Sequence, residues 1–148
     1  MATRGIIAVK RSTGFRGRYV HWDNNPERMV EVLGNIARRD GLTKMVSILI
    51  NDNASWSVID DQKTTGDDIL GYSKDCIIDG YGVIHDDMNP FDAESWFTEK
   101  DTDFAWAEYI YVISGEGLEV LHFENNLPVR MAFHEWDTIG LIFDTPLR

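Results

Sequence analysis

The chain has 148 residues, 43% hydrophobic and 26% charged, with a net charge of −11. Such a balance suits one acidic domain over residues 1–148 and argues against disorder. Cys76 is the lone cysteine, which excludes an intrachain disulfide, and no apolar run approaches the length of a secretory signal or a membrane span, so a cytoplasmic setting is expected.

In chain order, residues 5–9 carry a short β-branched run, Ser12-Thr13-Gly14 supplies turn chemistry, and residues 16–22 form the returning arm of a β-hairpin. Alternation places Arg16, Arg18, Val20 and Trp22 on one side of that arm, with Gly17, Tyr19 and His21 on the other. A helix is predicted over residues 26–39. Asn24 or Asn25 is its N-cap, Pro26 tolerates the first helical position, and Met29, Val32, Leu33 and Ile36 recur at helical spacing. Arg38 and Arg39 complement its carboxyl end, and Gly41 stops it.

A second, largely buried helix is predicted over residues 43–51, with Met45, Val46, Leu49 and Ile50 inward. Residues 53–82 alternate turn signals with short apolar groups and read as short strands and loops. The carboxyl third reads as an antiparallel meander: residues 108–114 (EYIYVIS) and 118–124 (LEVLHFE) across a Gly-containing turn, then strands at 129–133 and 138–143. The predicted class is α+β: an amino-terminal β-hairpin, two helices, then an antiparallel β-meander.

Charge is split along the chain. Residues 1–45 hold nine Lys/Arg against four Asp/Glu, a net of +5, and the remainder carries −16. Between Asp60 and Asp103 there are thirteen carboxylates, opposed by Lys63, Lys74 and Lys100. A surface of that sign repels nucleic acid and attracts basic proteins. It can also be no more than a solvated acidic face.

Motifs for chemistry are sparse. His21/Asp23, His85-Asp86-Asp87 and His134/Asp137 pair imidazole with carboxylate, the ligand types for zinc, iron or manganese, but none has the spacing of a metal signature. Neither a nucleophile elbow, a P-loop nor a dinucleotide fingerprint occurs, and the acidic neighbourhood of Cys76 raises a thiol pKa. The expectation is a protein without catalytic residues, metal or cofactor, and a metal-assisted hydrolase ranks last among the alternatives.

The run Thr3-Arg4-Gly5-Ile6-Ile7-Ala8, followed by Gly17-Arg18-Tyr19-Val20-His21-Trp22-Asp23 and Pro26, resembles a group of small proteins encoded by phages and actinobacterial genomes. A later Tyr-x-Tyr-Val strand of that group has its counterpart in Tyr109-Ile110-Tyr111-Val112. The resemblance brings no activity or site residues; it implies an accessory role against host defence.

Two readings of function follow. In the first, a phage or prophage accessory protein inhibits a host defence or nucleic-acid-handling protein, such as a CRISPR effector or defence nuclease, by presenting an acidic surface to its basic groove in place of DNA. Asp86, Asp87, Asp92, Glu94, Glu99, Asp101 and Asp103 would supply the charge, with Trp96, Phe97 or another exposed aromatic as anchor. In the alternative, Arg16, Arg18, Tyr19, His21 and Trp22 form a small-ligand site that sequesters a nucleotide signal, arginine forks taking phosphate and aromatic rings taking the base.

Overall fold

A computed structural model of the chain describes residues 3–62, 76–84, 96–101, 104 and 106–136. The predicted strand at residues 138–143 lies outside them. The α+β class and the order of hairpin, helices and meander are what the structure shows.

Strands β1 (Gly5–Lys10) and β2 (Phe15–Val20) pair antiparallel with Gly5 opposite Val20 and Lys10 opposite Phe15. The turn between them closes through the Arg11 amide, which donates to the Gly14 carbonyl at 2.9 Å. Gly14 takes φ 72°, the left-handed region that favours glycine, and a Cβ there would lie 2.0 Å from the Glu99 carboxylate.

Helix α1 (Pro26–Asp40) begins at Pro26 as predicted and stops at Gly41. Its N-cap position is Asn25, yet no side-chain cap bond forms. Asn24 is fully buried and works differently. Its Nδ2 donates to the carbonyls of Thr3, Val20 and Trp22 at 2.8, 3.0 and 3.1 Å, and its own carbonyl accepts from the Tyr111 hydroxyl. A residue expected to cap a helix instead ties the hairpin to a strand far along the chain.

The second helix is made of two parts, α2 (Leu42–Val46) running into a single π turn, Ser47–Asn51. A widened turn exposes carbonyls that ordinary i→i−4 bonding would satisfy. Three side-chain donors take them up. Asn53 Nδ2 bonds the Ile48 carbonyl at 2.9 Å, Trp56 Nε1 that of Leu49 at 2.8 Å, and Arg18 Nε that of Ile50 at 2.7 Å.

Six further strands and one short pairing complete the sheet: β3 (Ser55–Ile59), β4 (Ile77–Ile78), β5 (Gly82–Ile84), β6 (Phe97–Thr98), β7 (Tyr109–Ile113), β8 (Gly117–Glu124) and β9 (Leu127–Glu135). Among the described residues their order is β4-β5-β3-β2-β1-β7-β8-β9, with β6 also on β2. The meander β7-β8-β9 is antiparallel as predicted. The whole sheet is mixed, because β1 runs parallel to β7 and β2 parallel to β3. Those pairings join segments remote in sequence, so no local pattern announces them.

Both faces of the central strands are covered, whereas β9 leaves Leu127, Val129, Met131 and Phe133 exposed. On one, Ile7, Val20, Trp56, Tyr111, Ile113 and Val120 pack against Met29, Leu33 and Ile36 of α1 and against Met45, Leu49 and Ile50. Burial of such side chains at about 25 cal/mol per Å² of apolar area is the main stabilising term. On the other face, Ile6, Ala8, Phe15, Ile110, Val112 and Leu121 are covered by Phe104, with Phe97, Ala107 and Phe123 around it. The rings of Phe104 and Phe123 stand 5.3 Å apart. Phe97, Phe104 and Ala107 therefore provide the second cover, with Phe123 of β8 beside them.

Candidate functional site

Strand β2 places its residues on the two faces that alternation predicts. Phe15 belongs to one core and Val20 to the other. Arg16 and Arg18 share the Val20 face, where both guanidinium groups lie over the Trp96 ring, at 4.2 and 3.1 Å from its centroid. Arg18 is fully buried, and burial together with the charge of Arg16 pushes its pKa down to about 10. Arg16 also donates to Asn51 Oδ1 at 2.9 Å.

On the opposite face, the Tyr19 hydroxyl lies 2.8 Å from His21 Nδ1, and the Trp22 ring stands edge-on to that imidazole at 4.6 Å. Burial raises the Tyr19 pKa, against the opposing charge of Arg4. The five hairpin residues of the nucleotide reading thus fall into two groups, Arg16 and Arg18 with Trp96, and Tyr19 with His21 and Trp22; Trp22 departs from the predicted side because β2 ends at Val20, so alternation no longer governs it. The sheet separates the phosphate-binding type of side chain from the base-stacking type.

Asp86, Asp87, Asp92, Glu94 and Asp103 lie outside the described residues, as do His85 and Asp137. Trp96 and Phe97 are half-buried and point inward, Trp96 to the arginines and Phe97 to the second core. Glu99 is exposed and accepts from the Phe15 amide at 3.0 Å. Its pKa is held low by hydrogen bonds from its own and the Phe15 backbone. Asp101 Oδ2 accepts from the Thr98 amide at 2.6 Å. These two carboxylates shape the turn after β6 and still face water in part.

The exposed aromatic of this segment is Trp106, 83% accessible. Its φ of 67° is a left-handed conformation that costs a non-glycine residue about 1 kcal/mol or more. Flanking backbone bonds hold it there: the Ala107 amide donates to Phe104 at 3.0 Å, and the Glu108 amide donates to Arg4 at 2.8 Å. Exposed carboxylates at Glu99 and Glu108 belong to the same segment. In the sequence Trp106 is one of five tryptophans, and nothing in composition marks the backbone strain that sets it apart.

Several cations of the amino-terminal third are spent inside the fold. Arg28 donates to the carbonyls of Asp23 and Ile59 at 3.1 and 2.7 Å. Arg39 donates to the carbonyls of Asp61 and Gly80 at 2.9 and 2.8 Å and to Asp40 Oδ2 at 2.9 Å. Asp40 accepts as well from the Tyr81 hydroxyl at 2.5 Å. The Arg39 hydrogen bond foremost holds the Asp40 carboxyl below its ordinary range, while burial pushes the Tyr81 hydroxyl up. The signal for this inward use was present in the alternation that sets Arg16 and Arg18 beside apolar Val20.

Among the described residues, no group of three or more His, Cys, Asp or Glu is arranged to hold a metal ion, and no helix is long and apolar enough to cross a membrane. No protein-family model, curated protein or solved structure matches this chain.

Proposed function

We propose that this protein is a non-enzymatic phage or prophage accessory factor that blocks a basic groove on a host defence or nucleic-acid-handling protein, such as a CRISPR effector. The observation that carries the reading is Trp106. A large ring, 83% accessible and held in a strained backbone, stands in a segment with outward carboxylates. Tryptophan is enriched among the residues that dominate interface energies, and strain of this kind concentrates at functional positions. Donation by Arg18, Arg28 and Arg39 to backbone carbonyls adds to it, since these cations are engaged by the fold while Glu99 and Glu108 are exposed. Resemblance of the hairpin to phage-borne proteins supports the choice of partner class.

The test is binding to purified candidate effectors across a salt series. Affinity should fall as salt rises, and Trp106→Ala should weaken it by about tenfold or more, with a similar loss on charge reversal of Asp86, Asp87, Asp101 and Asp103. Affinity that ignores both salt and Trp106 would overturn the proposal.

A further inference from the structure

β1 and β7 lie side by side and parallel, so Lys10 and Ile113 end their strands at the same edge of the sheet. From there the connections part. The chain after β1 turns back into β2 on one side, whereas the chain after β7 turns back into β8 on the other. Adjacent parallel strands whose connections diverge leave a crevice beyond their carboxyl ends.

Such a crevice is present here, with a volume of about 640 Å³, within the range of small-molecule sites. Its apolar walls are Val9 and Ile113 from the two strand ends and Leu42 and Val46 from α2. Thr43 adds a hydroxyl, while those of Ser47 and Ser114 donate to Asp52 and to the Gly117 carbonyl of the turn, and the Asn51 amide oxygen accepts from Arg16. Lys10 and Arg11 are exposed residues of the lining, and neither forms an ion pair among the described residues; Lys10 also lines the adjoining hollow beside Glu116 and Glu119. Arg16 reaches the same wall from behind through Asn51. Its pKa is lowered by burial and then by the charge of Arg11, the sign of like charges drawn close. Arg11 also acts electrostatically on Glu99, and Glu116 is the carboxylate within the wall.

We infer that this crevice binds a small organic anion, an aliphatic body lying on Val9, Leu42, Val46 and Ile113 with a single phosphate or carboxylate head between Lys10 and Arg11. The walls contain no aromatic ring, which favours an aliphatic body over a stacked base. On a protein of net charge −11, two solvent-facing cations beside an apolar hollow attract anions locally.

Isothermal titration of the full chain at low salt with hexyl phosphate, hexanoate, hexanol and inorganic phosphate tests the inference. At least one of the two amphiphilic anions should bind saturably at one site, and the tighter of them identifies the head group. Hexanol and inorganic phosphate should each bind at least about tenfold more weakly, because each lacks half of the recognition. The double variant Lys10→Ala/Arg11→Ala, altered only at two exposed positions, should lose about tenfold or more for the anion, and Glu116→Gln should tighten it. Failure of both amphiphiles to bind, equal binding by inorganic phosphate alone, or an affinity indifferent to Lys10 and Arg11 would each overturn the site. These outcomes leave the role of Trp106 untouched, so the two proposals fail separately.

Discussion

Residues 3–45 and residues 96–108 handle charged and aromatic side chains in opposite ways. In the first region Arg18, Arg28 and Arg39 reach backbone carbonyls of Ile50, Ile59 and Gly80, so cations act as connectors between α1, the π turn and the sheet. In the second region Trp96, Phe97 and Phe104 turn inward as cover, while Glu99, Trp106 and Glu108 face water. Net charge counted along a sequence therefore misjudges the surface, because Arg18, Arg28 and Arg39 are bound to backbone carbonyls while Glu99 and Glu108 are exposed.

The sharpest break of that contrast is Arg18→Ala. Removing the guanidinium leaves the Ile50 carbonyl without this donor, strips a cation from the Trp96 ring and opens a void at a fully buried position. Unfolding in urea should show a loss of about 3 kcal/mol. A loss below about 1 kcal/mol would mean that the arginine is no connector.

A smaller effect is expected from the Arg39, Asp40 and Tyr81 group. Because the folded-state pKa of Asp40 is depressed, its ionised form stabilises the fold at pH values above the ordinary carboxylate range, and that contribution is lost as pH falls through the folded pKa. Melting temperatures of wild type and Asp40→Asn should differ at pH 6 and converge toward pH 3. A gap that stays constant across that interval would assign the stabilisation to shape rather than charge.

The smallest effect belongs to the displayed side. Trp106→Ala should change stability by no more than about 0.5 kcal/mol, since an exposed ring surrenders little packing. A large destabilisation would move Trp106 from the interface class into the core.

Much of the fold is legible in the sequence where the causes are local. Pro26, the helical period through Ile36 and Gly41 mark α1 because capping and amphipathicity act within a few residues, and the alternation of β2 follows from the strand's period of two. The role of Asn24 is not legible, since two adjacent asparagines look alike until Thr3, Val20 and Tyr111 are seen around one of them. The π turn escapes for the same reason. Its widened carbonyls are tolerable only because Arg18 and Trp56 arrive from other elements. The crevice escapes most completely: Val9, Val46 and Ile113 come from three segments, and the signal that would find it is the parallel pairing of β1 with β7.

That pairing also sets an order of events during synthesis. β1 begins at Gly5, and its parallel partner begins about a hundred residues later at Tyr109. Loop closure over such a span cannot occur until most of the polypeptide has left the ribosome, and non-local pairing slows collapse into the native topology. Until then Ile6 and Ala8, at the centre of the finished sheet, have only the β2 arm beside them, so the nascent amino-terminal half is the stage at which this protein is most exposed to self-association.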